Sequence, residues 1–240
     1  MQTTSQEYQV IFASGDYRVE TRLWIGATSA TRFYIPESEI FSLQTTHNMF
    51  GANYPQVGKC VAGEIDVSLL MPSRTIERMA LLRPYYRLVA ADGTTSEWLQ
   101  KGAYYIDTRT VTQNDDGLDV LTLHGYDAML KAQAEYLGTS GLSYPALDTA
   151  IVNVIAAKMG VSVDSRTTDI MTAGYRIPLP VGYSMQEVLC AIAASYAGNF
   201  IITDEGKLRL YALTELPVET RYLINESNER ITFGGDRILV

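Results

Sequence analysis

The chain has only two cysteines, Cys60 and Cys190, and only two histidines, His47 and His124, in 240 residues. The cysteines lie far apart, in regions of different pattern, so two buried thiols are expected in place of a disulfide framework, together with a reducing site of synthesis. Neither histidine belongs to an HExxH helix, neighbours a cysteine pair at metal spacing, or has a second histidine three or four residues away. That removes the usual zinc patterns. There is no Walker loop, no GxGxxG after a strand and no GxSxG elbow, so nucleotide binding and serine hydrolysis lack the cradle or strained turn they depend on. Long apolar runs are also missing. The most apolar one, VLCAIAASYAGNFII, is interrupted by Ser195, Gly198 and Asn199 and falls short of the ~20 residues a membrane span needs. The N-terminal MQTTSQEYQV lacks the basic start and apolar run of a secretory signal, and a soluble chain without membrane insertion is expected. Basic residues are in deficit: 19 Lys and Arg against 27 Asp and Glu give a net charge of −8. Such a balance argues against a surface built to grip nucleic acid, which relies on lysine and arginine neutralising phosphates.

What is present is ordinary globular material, 47% hydrophobic and 19% charged, enough for one large domain or two small ones without metal or disulfide support. Tyr17 to Ile25 alternates, with Tyr17, Val19, Thr21, Leu23 and Ile25 on one face and Arg18, Glu20 and Arg22 on the other. GEIDVSLLM repeats the period through Ile65, Val67, Leu69 and Met71, and Pro72 ends it. Tyr85 to Val89 runs into the turn pair Asp92-Gly93, and AYYIDTRTV and LDVLTL flank the turn Asp115-Asp116-Gly117. Antiparallel strands at such short intervals commonly close as a barrel or sandwich. NMFGANYPQVGK, from Asn48 to Lys59, reads as a long exposed loop of the kind that touches partners.

Helical periods begin after Asp127. Leu130, Ala134 and Leu137 form one side of an expected helix that Gly138 ends. After the linker-like TSGLSYP, with Pro145 acceptable in a first helical turn, Leu147, Ile151, Val154 and Ile155 make an amphipathic stripe ending near Gly160. Ser184-Met185-Gln186-Glu187 fits a capping box that opens a second amphipathic helix with Leu189, Ile192, Ala193 and Tyr196 on its buried face. NFIITDEGKLRLYAL then reads as a hairpin. The expected organisation is α+β: residues 1–140 a β-barrel-like domain, 141–215 a small α+β domain, and 216–240 the start of a further β segment. The last residues stop in what looks like mid-strand, so more chain is expected.

Groups able to do chemistry each have a simpler role available. His124 shares a strand face with Thr122 and is expected at a rim or partner contact. Asp127, directly before a helix, is expected to cap it by accepting otherwise unpaired N–H groups. Asp115-Asp116 and Asp204-Glu205 precede glycine between strands and are expected in turns. No catalytic, cofactor or metal residue is assigned. The 16 tyrosines include Tyr85-Tyr86 and Tyr104-Tyr105, which put one ring on each side of a strand. One can pack inward while the other meets another subunit.

GEIDVSLLMP, TIERMALLRPYYRL, SEWLQKGAYYIDTRT, LTLHGYDAMLKAQAEY and GYSMQEVLCAIAASYAGNFIITDEGKLRL, in that order, resemble the tail hub proteins of bacteriophages and prophages. These include baseplate hubs of contractile tails and the N-terminal region of siphophage tail-tip proteins. The resemblance implies a tail-tube-like barrel, a homotrimeric ring at the distal end of the tail, other tail-tip and tail-tube proteins as partners, and DNA passing through without specific binding. It places the protein in the virion tail tip after synthesis in the bacterial cytoplasm. A receptor- or glycan-binding module of the same tip, using exposed Tyr and Trp98, is the alternative. Hub proteins usually continue into a second barrel, which residues up to Val240 do not include. No wall-degrading residues are present to carry over, so no enzyme is expected.

Overall fold

The computed structural model describes residues 3–26, 32–51, 54–138 and 141–213, and the backbone of 232–233 and 236–237. Its largest element is an antiparallel sheet of eight strands. A helix α1 (Gln6–Ser14), capped by Ser5, leads into β1 (Tyr17–Ile25). There follow β2 (Phe33–Pro36), β3 (Ile40–Thr46), a two-residue β4 (Lys59–Cys60), β5 (Glu64–Leu70) and β6 (Leu81–Ala90). The first half ends with β7 (Leu99–Gln100), β8 (Tyr104–Gln113) and β9 (Asp119–Asp127). Pairing runs in the order β2-β1-β6-β8-β9-β5-β3, with β7 beside β6.

The alternation read from the sequence sets the faces. Leu23 and Ile25 of β1, Ile65, Val67 and Leu69 of β5, and Leu121 and Leu123 of β9 are buried in one core with Ile35 of β2 and Tyr104 of β8. Strands distant in the pairing order thus share a core, so the sheet is curled over on itself. Each large side chain there contributes roughly 1.5–3 kcal/mol. β6 and β8 pair only through Leu81↔Tyr105 and Leu82↔Tyr104, which lets the two halves of the sheet splay apart elsewhere. The pairing is open: β2 and β3 do not pair with each other among the described residues. Two boundaries differ from expectation. β5 stops at Leu70, leaving Met71 45% exposed, and Val19, at the open end of β1, is 46% exposed.

The second core is built on α2 (Asp148–Met159), α4 (Met185–Ser195) and the hairpin β12 (Gly198–Ile202) with β13 (Leu208–Ala212). Between these lie β10 (Ala146–Leu147), α3 (Ser165–Ile170) and β11 (Arg176–Ile177), with β10 and β11 paired. Gly160 ends α2 at φ 77°, as expected for a left-handed C-cap. Leu147 lies outside the helix as its N-cap, and Pro145 precedes β10, so neither stands in the first turn. Ser184 and Glu187 make the full capping box on α4. That arrangement is worth about 1 kcal/mol. Among residues 216–240, a backbone pair β14 (Thr232–Phe233) and β15 (Asp236–Arg237) is described, and the rest of that segment lies outside the described residues.

The stretch after β9 is not the α-helix the period suggests. It is a short 3₁₀ helix, Ala128–Gln133, that buries Ala128, Met129 and Ala132, while Leu137 is 75% exposed. The reason is tertiary. The Ala134 carbonyl accepts the Met185 N–H at 2.9 Å and the Tyr136 N–H donates to the Tyr183 carbonyl at 2.8 Å, so the chain is held extended where a helix would continue. Its buried side chains belong to the second core.

Candidate functional site

The two residues at the strand-to-helix join point in opposite directions. His124 is on the outer face of β9, where Nδ1 lies 2.8 Å from Oδ1 of Asp66 on β5. Asp127, three positions on, faces inward and is 2% exposed. Its Oδ1 accepts the Met129 N–H at 2.8 Å and its Oδ2 accepts the Gly63 N–H at 2.7 Å. Asp127 is therefore the expected cap and also ties β9 to the entry of β5. Burial pushes its carboxyl up to about 7, against the pull of the two N–H donors. No shared His124–Asp127 pocket exists.

A second polar cluster joins the sheet to the α+β unit. His47 Nε2 is 2.6 Å from the Tyr104 hydroxyl and 3.5 Å from Oδ1 of Asp204, whose Oδ2 receives Lys101 Nζ at 3.2 Å. The Asp204 carbonyl accepts the Gly102 N–H at 3.1 Å and Gln100 Nε2 at 2.9 Å. Burial lowers the His47 pKa, with Asp204 opposing, and raises that of Tyr104. The adjoining cleft, of about 220 Å³, also carries Arg166 and Arg209. Arg166 is bound through Nε and Nη2 to Asp164, at 2.8 and 2.5 Å. His47, Tyr104, Lys101 and Gln100 all converge on Asp204 or on one another, so the arrangement is a clasp between the sheet and the β12–β13 hairpin, while Arg209 donates through Nη1 to the Tyr211 hydroxyl and keeps its buried Nε unpartnered among the described residues. Asp204, expected in a turn, is its anchor as well, and no sequence motif marks His47.

Asn199, fully buried, does similar work for the Asn48–Lys59 loop. Its Oδ1 accepts the Lys59 N–H at 2.8 Å, and its Nδ2 donates to the carbonyls of Met49 (3.1 Å) and Gln56 (2.7 Å). The loop is exposed along most of its described length but is pinned at both ends.

Two faces of the large sheet differ in chemistry. Register places Ser42, Gln44 and Thr46 of β3 beside Ser68, Asp66 and Glu64 of β5, which in turn oppose Thr122, His124 and Tyr126 of β9. Thr108, Thr110 and Thr112 of β8 continue this outer face. It is hydroxyl-rich, bears two acids and has no lysine or arginine among these strand positions. The outer face of β1 and β6 is the reverse: Arg22↔Tyr85, Trp24↔Arg83 and Glu20↔Arg87 are opposed pairs. Arg22 lies 4.1 Å from the centre of the Trp98 ring and Arg87 4.7 Å, while Arg32 lies 4.6 Å from that of Trp24. Glu20 binds Arg87 and Arg18. Tyr85 turns outward to Gln100 at 2.9 Å, and Tyr104 is buried, so each tyrosine pair does straddle its strand.

A cavity of about 530 Å³ lies between α4 and the segment around Tyr175–Tyr183. Its carboxylates are engaged. Asp148 accepts the Thr149 N–H and the Tyr196 hydroxyl, and Glu187 serves the α4 cap. No group of three or more metal-capable side chains occurs among the described residues, and no described helix is long and apolar enough to cross a membrane. The Asp115-Asp116-Gly117 segment is a turn, with Asn114 Oδ1 accepting the N–H groups of Asp116 and Leu118 at 3.1 and 2.8 Å.

No family model and no curated protein sequence matches the chain. Its fold is shared with solved structures. A 43 kDa tail protein of prophage MuSo2 from Shewanella oneidensis aligns with a TM-score of 0.51 at 11% identity, covering 84% of this chain and 58% of that one. The tail protein from Neisseria meningitidis MC58 aligns at 0.50 and 12% identity, covering 81% of this chain and 51% of that one. The chain thus spans little more than half the length of either structure, and at these identities the likeness is one of fold.

Proposed function

We propose that this chain is a structural component of a bacteriophage or prophage tail, acting in a ring near the distal end of the tail tube through which DNA passes. The observation that carries the reading is a fold shared over more than four fifths of the chain with two tail proteins. The order of sequence motifs described above favours a hub or tail-tip position and a trimer. The geometry supplies a fitting wall. The face formed by β3, β5, β9 and β8 offers hydroxyls and acids and no cation, a surface along which a polyanion slides without sticking. The Arg–aromatic face of β1 and β6 suits contact with a neighbouring protein, since such side chains are enriched in interfaces. In a ring the open edges β2 and β3 gain partners and the curled sheet becomes part of a closed barrel.

The role is mechanical and not enzymatic: His124 and Asp127 lie on opposite faces of β9, and each is engaged in holding β9 to β5 or its entry. A glycan-binding role draws on Trp98, but that ring is taken up by Arg22 and Arg87, which favours assembly. Light scattering with negative-stain imaging of the purified chain, alone and with its tail-tube neighbour, tests the proposal. Ring-shaped trimers in either sample support it. A strict monomer in both that is retained on a glycan array overturns it.

A further inference from the structure

The outer face of β1 and β6 carries more guanidinium than carboxylate. Glu20 sits on Arg87, whose Nε and Nη2 both reach its Oε2 at 2.7 Å, and it also binds Arg18. No carboxylate among the described residues forms an ion pair with Arg22 or Arg83, and the buried Nε of Arg22 has no acceptor among them. Arg22 is stacked 4.1 Å from the centre of the Trp98 ring and stands 5.4 Å from that of Tyr85. A stacked guanidinium loses little freedom when it receives a carboxylate, because its fork is already held.

The opposite charge stands on the hairpin of β8 and β9. Every residue of β8 from Asp107 to Gln113 is exposed, and β6 pairs only with the foot of that strand, so the hairpin projects as an arm roughly 20 Å long. It bears Asp107, Asp115, Asp116 and Asp119, all exposed. Its one cation is Arg109, whose Nη1 and Nη2 donate to the Ile76 and Glu77 carbonyls at 3.0 and 2.9 Å. Val111 and Leu118 add apolar surface at 53% and 47% exposure. Among the described residues no ion pair joins this arm to the arginines of β1 and β6.

We propose that the β8–β9 arm of one copy docks on the β1–β6 face of the next, with Asp115, Asp116 and Asp119 received by Arg22 and Arg83, and Val111 and Leu118 laid against Trp24 and Tyr34. The inference rests on the ring reading above and names the contact that would build the ring. Each copy offers an arm and receives one, a head-to-tail contact of the kind that closes rings. The occupant is a second copy because the complementary charge and the uncovered apolar side chains are both on this chain. Nucleic acid suits the face less well: stacked bases need open rings, and Trp98 and Trp24 already carry the guanidinium groups of Arg22, Arg87 and Arg32. The wall proposed for passage stays free, since Thr108, Thr110 and Thr112 lie on the other side of the arm from Val111 and Gln113.

Sedimentation velocity of the full chain over a concentration series, at low and high salt, tests this. The wild type is expected to self-associate, and more weakly in high salt. Asp115→Lys with Asp116→Lys, and separately Arg83→Glu, are each expected to weaken association roughly tenfold or more, because like charges then face each other. A chain carrying all three substitutions is expected to recover it. A wild type that is monomeric at every concentration, or association that neither charge reversal weakens, overturns the proposal. Rings that form with the tail-tube neighbour and are indifferent to these substitutions keep the ring reading and overturn this contact alone. Binding of a single-stranded oligonucleotide that Arg83→Glu abolishes gives the face to nucleic acid and overturns it as well. Asp115 and Asp116 lie in an exposed turn, so the result with that variant decides even if Arg83→Glu fails to fold.

Discussion

Replacing Asp127 by Asn keeps the shape of the side chain while removing its charge, and the structure sets two opposing consequences. Asparagine offers one acceptor oxygen where the carboxyl, protonated or not, has two, which accept from the Gly63 and Met129 N–H groups at 2.7 and 2.8 Å. One buried donor therefore loses its acceptor, at roughly 1–3 kcal/mol. Against this stands the burial that lifts the Asp127 carboxyl from 3.8 to about 7. Between those two values the folded protein holds a proton that the unfolded chain has released. The associated stability is present in full below about pH 4 and is lost as pH rises through about 7. The loss is at most roughly 4 kcal/mol. Asparagine does not titrate. Urea denaturation of both proteins from pH 4 to 8 should find Asp127→Asn the less stable at the acid end, with the gap closing and then reversing toward pH 8. Other carboxyls titrate in both proteins and cancel in the difference. A gap that stays constant across the range would refute the reasoning. It would mean that the two N–H donors outweigh burial and keep Asp127 ionised throughout.

Asn199→Ala should release the Asn48–Lys59 loop, since three backbone groups lose their partners at roughly 1–3 kcal/mol for each that water cannot reach. Limited proteolysis should then cut first within that loop, and an unchanged cleavage pattern would count against the pinning role. Thr108→Lys, Thr110→Lys and Thr122→Lys together should give the outer β8–β9 face salt-dependent retention of DNA, with each phosphate contact adding about 0.9 to the slope against log salt. A gel-shift series at increasing salt that shows no gain would remove the argument that this face is kept free of cations for passage.

What could be read from the sequence was mostly what short separations decide. Ser184 and Glu187 sit three residues apart, Asn114 caps its own turn, and the alternation of β1 and β5 marks a buried face without knowledge of the partner strand. The 3₁₀ segment departs from the helix its spacing predicts, because the groups that extend it, Tyr183 and Met185, are about fifty positions away. α3 leaves no trace in the sequence: six residues with only Thr167 buried give no stripe to detect. His47 and Asn199 share one cause of invisibility. Their partners lie 57 (Tyr104) to 150 (Met49) residues away, and only the completed fold brings them together. The arginines of β1 were legible as a charged face, but their cover by Trp98 and Tyr85 depends on the β1–β6 register.

The parallel pairing of Lys59–Cys60 with Asn199–Phe200 bears on how such a gene can be shuffled. Recombination that exchanged everything after the sheet for the corresponding part of a distant relative would keep a strand cut to fit a hairpin that had gone, and the incoming hairpin would arrive with one flank bare. The two lobes are interleaved like clasped fingers, and so they are inherited together or remade together.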